Sequence, residues 1–203
     1  MKPAAAQKVL IDGPAGKLEI AINDSGDSRR GIALIAHPHP LYGGTLDNKV
    51  VQTLAKAFVG LGYCALRLNF RGVGASEGVF DEGRGEVEDF LALADYGRRT
   101  YGETELAIGG FSFGGFVAAT VAEQLAPRHL VLAAPAVGRF AVGNVAQHAL
   151  VIHGEEDDVV PLKDVLDWAR PQALPIIVFP GAGHFFHGAL VTLQRVVERH
   201  CRT

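Results

Sequence analysis

The chain has 203 residues, 48% hydrophobic and 20% charged, with a formal net charge of −3. That length suits one domain, 1–203, with a sizeable core, and the balance of charge excludes the basic face that nucleic acid requires. No apolar run reaches the roughly 18–20 residues that span a membrane, and the start of the chain, Lys2-Pro3-Ala4-Ala5-Ala6, lacks the apolar stretch of an export signal.

Residues 8–11 and 17–22 read as two strands joined by Asp12-Gly13-Pro14-Ala15-Gly16, a hairpin signal. Residues 23–30 form a polar loop. The continuous apolar run 31–37 predicts a strand buried on both faces. A loop dense in Pro and Gly follows, 37–44. Val50, Val51, Leu54 and Phe58 then recur at helical spacing, and the helix from Asn48 should stop at Gly60 or Gly62. Residues 63–70 are the next strand and 71–82 a glycine-rich loop. Val87, Phe90, Leu91 and Ala94 mark an amphipathic helix reaching about Tyr101. Strand 105–111 runs into a helix ending near Ala126. Strand 129–134, a connection 135–147, strand 148–153 and helix 162–169 follow. Strand 174–179 and helix 188–200 complete the chain.

Strand and helix alternate from residue 31 onward. This predicts an α/β fold: a doubly wound, mostly parallel sheet with helices on both faces. The 135–147 connection is too short for a separate lid domain. Sites in such sheets form at the carboxyl ends of strands. The 25 glycines fall mainly at strand ends and turns.

One strand end stands out. Gly110-Phe111-Ser112-Phe113-Gly114 places a serine between a buried strand and a helix of small residues. A turn that sharp strains its apex residue, and the flanking glycines remove side chains that would collide. The hydroxyl is then lifted to the positive end of the helix dipole, where a nucleophile and its developing anion belong. The chain has four serines, and a second one, Ser76 in Gly74-Ala75-Ser76-Glu77-Gly78, satisfies the same pattern. Ser76 has no helical segment behind it and reads as a turn former.

A serine nucleophile needs a base, and the base needs an orienting acid. Both follow Ser112. Strand 148–153 leads into His153-Gly154-Glu155-Glu156-Asp157-Asp158-Val159-Val160-Pro161, and strand 174–179 leads into Gly181-Ala182-Gly183-His184-Phe185-Phe186-His187. Asp157 is the candidate acid, with Asp158 the alternative. His184 is the candidate base, with His187 the alternative and the expected start of the last helix. His153 reads as a structural histidine.

The order Ser, Asp, His together with G-x-S-x-G resembles the α/β-hydrolase superfamily. His37-Pro38-His39-Pro40-Leu41-Tyr42-Gly43-Gly44 and Asn69-Phe70-Arg71-Gly72-Val73-Gly74-Ala75-Ser76 look like a group of small lidless bacterial hydrolases related to dienelactone hydrolases. Dienelactone hydrolase itself uses a cysteine nucleophile, and this chain has Ser112. The resemblance implies a serine hydrolase acting on carboxylic esters of small molecules, with thioesters, amides and peptides as alternatives on the same residues. A non-enzymatic binding protein on a hydrolase scaffold is the reading from another class.

The backbone N–H of Phe113 is the expected first oxyanion donor. The second should come from the loop after strand 31–37, where Pro38 and Pro40 have no N–H. His39 is therefore the candidate, with Leu41 the alternative. Tyr42 and Arg71 are candidate substrate contacts, although for Arg71 pairing with a nearby carboxylate is the favoured reading. His37-x-His39 and His184-x-x-His187 have possible metal-ligand spacing, but no second acid-histidine cluster accompanies them. No metal or organic cofactor is expected. The partners expected are a small-molecule ester, no nucleic acid and no membrane. With only Cys64 and Cys201, far apart in sequence, reduced thiols and a cytoplasmic protein are expected.

Overall fold

The computed structural model describes residues 6–24, 26, 29–102 and 104–202. Residues 1–5, read above for an export signal, lie outside the described residues, as do 25, 27 and 28 of the polar loop.

The hairpin is β1, Gln7–Gly13, against β2, Gly16–Asn23, in register from Gln7 with Ile22 to Gly13 with Gly16. The strands β3 (Gly31–Ala36), β4 (Tyr63–Leu68) and β6 (His129–Ala133) are buried along their whole length. With β5 (Glu105–Phe111), β7 (Leu150–Gly154) and β8 (Ile176–Phe179) they form one sheet. Its order is β1-β2-β4-β3-β5-β6-β7-β8. β2 pairs antiparallel with β4, and every pairing from β4 to β8 is parallel. The fold is that of the α/β hydrolases, with the hairpin added at one edge.

Among the described residues five helices cover the sheet: α1 (Lys49–Gly60), α2 (Arg84–Tyr101), α3 (Phe113–Leu125), α4 (Leu162–Ala169) and α5 (Leu190–His200). Phe90, Leu93, Val117, Val121 and Val165 carry α2, α3 and α4 into the core on one face. Leu54, Phe58, Leu193 and Val197 carry α1 and α5 into a second core on the other. Phe58 and Phe90 are fully buried, which stabilises the fold by about 1.5–3 kcal/mol for each ring. No helix among the described residues is long and apolar enough to cross a membrane.

Element ends shift where local hydrogen bonds compete. α2 starts at Arg84, ahead of the apolar period, because the Glu86 carboxylate accepts the N–H groups of Asp81 and Gly83 at 2.9 and 2.8 Å. β8 starts at Ile176 because Pro175 has no N–H and the Leu174 N–H is taken by Ala169 O. α5 starts at Leu190, after the Ala189 N–H has turned back to Phe186 O. His187, expected to begin that helix, is therefore an exposed turn residue ahead of it.

Strand order places the site. β3 lies between β4 and β5, so the chain winds away from β3 in two directions. The loops leaving β3 and β5 diverge there and open a crevice at the carboxyl edge of the sheet.

Candidate active site

Ser112 stands between β5 and α3 at φ 56°, ψ −117°. A non-glycine residue there carries about 1–3 kcal/mol of strain, and the surroundings enforce it. A Cβ on Gly110 would meet Gly114 O at 2.2 Å, and one on Gly114 would meet Ala36 O at 2.4 Å. Only glycine lets β3, β5 and α3 approach so closely. The Ser112 N–H donates to Ala133 O at 3.0 Å, and its carbonyl accepts from Gly115 and Ala136. The elbow is thus pinned to β6 on one side and to the first turn of α3 on the other.

The His184 and Asp157 loops leave β8 and β7. They are tied together by Glu155 N–H to Phe179 O and Glu156 N–H to Ala182 O, both at 3.0 Å. This brings His184 Nε2 to 3.0 Å from Ser112 Oγ and His184 Nδ1 to 2.7 Å from Asp157 Oδ2. The remaining Asp157 oxygen accepts the N–H groups of Val159 and Val160 at 2.9 and 2.8 Å. Burial alone would raise the Asp157 carboxyl; the hydrogen bonds from His184 and Val160 outweigh it and hold the group below its usual value. The carboxylate is therefore the stable form, aimed at Nδ1–H. Nε2 is left as an acceptor for the serine hydroxyl. Asp158 and His187 are exposed, outside this chain of contacts.

His153 is structural, as its place at the strand end suggested, and it sits beside the acid. It is fully buried; its Nε2–H donates to Val160 O at 2.8 Å and lies 3.4 Å from Asp157 Oδ2. It closes the 154–160 loop behind the carboxylate. The His-Gly spacing at the end of β7 was the available signal.

The loop after β3 divides its two histidines. His37 is fully buried, with Nδ1–H donating to Pro38 O at 2.5 Å and Nε2 accepting the Phe70 N–H at 3.1 Å. Burial pushes its pKa down to about 4. Both ring nitrogens are committed to backbone, so His37 offers no lone pair to a metal beside His39. Among the described residues no group of three or more His, Cys, Asp or Glu is arranged to hold a metal ion. His39 caps a short 3-10 turn, Pro40–Tyr42, and its Nδ1 accepts the Leu41 N–H at 3.2 Å. Leu41, the alternative donor, is thus occupied. The backbone N–H groups of His39 and Phe113 have no acceptor among the described residues.

A cavity of about 290 Å³ opens in front of Ser112 and His184, with His39, Tyr42, Arg139 and Phe140 among its walls. Tyr42, expected to contact substrate, lines it. Arg71 does not. The fully buried Asp89 of α2 receives its guanidinium through Nη2 to Oδ1 at 2.8 Å and Nε to Oδ2 at 3.1 Å, and accepts the Arg71 N–H at 2.9 Å. Arg71, named as a candidate substrate contact, is instead paired with a carboxylate, the other reading given for it: Asp89 takes the Nε–Nη2 edge of its guanidinium. Ser76 is likewise absorbed by its loop, donating to Asn69 O at 2.7 Å and accepting the Glu19 N–H at 2.9 Å. Arg139 and Phe140 came from a stretch read only as a connection. Its position at the carboxyl end of β6 was the signal.

Residues 41–148 match a family model described as serine aminopeptidase, S33. An α/β serine hydrolase without a lid, from Xanthomonas campestris, superposes with a TM-score of 0.91 at 34% identity, over 100% of this chain and 96% of that one. An α/β serine hydrolase homologue from Coxiella burnetii does so at 0.90 and 39% identity, over 98% of each chain. An uncharacterized protein of Rickettsia prowazekii is 33% identical over 194 residues, 88% of this chain and 82% of its own. A serine held at such an elbow, in this sheet, in a chain matched nearly end to end by these proteins, belongs to an α/β serine hydrolase of the lidless kind.

Proposed function

We propose that the protein hydrolyses carboxylic esters of small molecules through an acyl-enzyme on Ser112. The observation that carries this is the continuous path from Asp157 Oδ2 to His184 Nδ1 at 2.7 Å and from His184 Nε2 to Ser112 Oγ at 3.0 Å. As Oγ bonds to the ester carbonyl carbon, its proton passes to His184 Nε2 and the carbonyl π electrons move onto oxygen. The N–H groups of Phe113 and His39 receive that oxyanion. Collapse breaks the bond to the alcohol oxygen, which takes the proton from His184. Water then attacks the acyl carbon, gives a proton to His184, and Ser112 is restored. Asp157 holds the imidazole tautomer and stabilises the imidazolium.

The match to a family named for serine aminopeptidases raises a second reading. An aminopeptidase must hold a free α-ammonium group beside the scissile bond, and a carboxylate is the natural partner for it. Among the described residues no Asp or Glu lines the cavity, and its formal charge comes from Arg139. This favours esters over peptides with a free amino end. The likeness of the 37–44 and 69–76 loops to dienelactone hydrolases belongs to the same proposal, without that enzyme's lactone specificity. Cys64 and Cys201 are buried and unpaired, in keeping with a reducing cytoplasm.

A fluorophosphonate probe should label Ser112, and short nitrophenyl esters should turn over faster than the matching thioesters and amino-acid nitroanilides. Absence of labelling would leave a binding protein on this scaffold. Faster turnover of the nitroanilides would make it a peptidase.

A further inference from the structure

Arg139 sits on a turn bound to the elbow itself. The Ala136 N–H donates to Ser112 O and the Phe140 N–H donates to Ala136 O, each at 3.1 Å. The Phe140 ring packs 5.0 Å from Phe113 and 4.9 Å from Phe116. The backbone carrying Arg139 is therefore fixed relative to Ser112, and its exposed side chain borders the same cavity. Arg71, by contrast, is consumed by Asp89. Arg139 has no ion-pair or hydrogen-bond partner among the described residues. Asp164 flanks the neighbouring glycine, 3.1 Å from where a Gly138 Cβ would lie, but makes no ion pair with Arg139.

The rest of the polar wall has the same character. His39 uses Nδ1 to accept the Leu41 N–H, so its neutral ring carries the proton on Nε2. Burial, then the nearby Arg139 charge, keeps that ring neutral. Asn48 spends its Oδ1 on the N–H groups of Val50 and Val51, leaving its NH₂ donors. Arg139, His39 and Asn48 all line the cavity, and no side-chain carboxylate among the described residues does. A set of donors with one fixed positive charge and no acidic counterpart selects an anion.

We propose that Arg139 is a specificity determinant that binds a carboxylate carried by the ester substrate, so that the enzyme prefers monoanionic esters to neutral ones. This rests on the ester-hydrolase reading of the same cavity. The occupant is a small molecule bearing both a scissile ester and a free carboxylate, and cleavage leaves that carboxylate untouched.

The probes are 4-acetoxybenzoate and 4-acetoxybenzamide, close in shape and different in charge. The wild-type kcat/KM should favour the carboxylate by about tenfold, the scale of one charge-assisted contact. Arg139→Gln should bring the ratio to about one. Arg139→Lys should keep part of it, since a point charge replaces the planar fork. Calorimetry with the Ser112→Ala protein reads binding without turnover, and should show the same preference, lost on adding Arg139→Gln. Hydrolysis with a ratio near one in the wild type, or a ratio unmoved by Arg139→Gln, overturns the anion subsite and leaves the esterase standing. No hydrolysis of either compound, with the calorimetric preference present and dependent on Arg139, sinks the esterase and keeps the subsite. Neither hydrolysis nor preference overturns both.

Discussion

The backbone N–H of Leu41 donates to His39 Nδ1 at 3.2 Å, across a single proline. The imidazole of His39 thereby removes Leu41 from the pool of free donors at the mouth of the cavity. The His39 N–H itself has no acceptor among the described residues, and neither has the Phe113 N–H. In the proposed reaction the side chain shapes the loop and the backbone N–H receives the developing charge.

This relationship predicts opposite fates for two substitutions. His39 has φ −52°, within the range of a proline ring. His39→Pro should therefore keep that φ while deleting the N–H, loosen the 39–42 turn as the loss of the imidazole requires, and lower kcat by about 10²–10³, the usual effect of losing one oxyanion donor. His39→Ala keeps the N–H and should retain appreciable activity while loosening the 39–42 turn. The check is kcat on nitrophenyl butyrate, with circular dichroism and melting to establish folding. A folded His39→Pro enzyme with near-normal kcat would exclude His39 as a donor.

Ser112 and Ser76 share a sequence pattern and should part completely in behaviour. Ser112→Ala should lower kcat by several orders of magnitude with little effect on melting. Ser76→Ala should leave ester hydrolysis largely intact. Its buried hydroxyl satisfies both Asn69 O and the Glu19 N–H, so its loss should destabilise by about 1–3 kcal/mol. At about 2–4 °C per kcal/mol in a chain of this size, a thermal melt resolves that. An inactive Ser76→Ala enzyme with a normal melt would reverse the assignment.

His37 makes stability depend on pH. Its pKa is lowered by burial from 6.5 to about 4. Above about 6.5 neither the folded nor the unfolded chain protonates it, and its neutral form contributes fully. As pH falls below 6.5 the unfolded chain binds a proton that the folded one refuses, so stability declines until about pH 4 and then levels off. The loss is about 3 kcal/mol from this group. Urea unfolding at pH 7, 5.5 and 4 should show a steeper decline in wild type than in His37→Asn. Parallel declines would mean that the buried ring is not kept neutral.

The cavity has a volume of about 290 Å³ and opens in front of Ser112. A cavity of that size should leave the outer methylenes of a long acyl chain in water, each forgoing the roughly 0.8 kcal/mol that burial provides. Nitrophenyl esters should therefore lose kcat/KM beyond short acyl chains. A steady rise through the long-chain esters would contradict this.

Much of the fold could be read from local patterns. Alternating apolar runs and 3.6-residue periods marked the strands from β3 onward and the five helices, because each element reports its own periodicity. Gly110 and Gly114 around Ser112 signalled the elbow, because only glycine permits that backbone approach. Boundaries drifted where a side chain captured a backbone donor, as Glu86 does ahead of α2.

What the amino-acid sequence determined by itself was therefore the kind of chemistry: a serine on a strained turn, with an acid and a histidine after later strands. What only the tertiary structure decided was which groups meet. Arg71 was read as pairing with a carboxylate, but Asp89 lies eighteen positions away on a helix, and nothing in either segment singles it out as the partner. Arg139 looked like part of a bare connection until the Ser112 carbonyl fixed its turn beside the cavity. The placement of β3 between β4 and β5 opens the crevice. The physical reason is range: turns and periodicity arise from contacts within a few residues, whereas strand order and charge pairing arise from packing between distant ones.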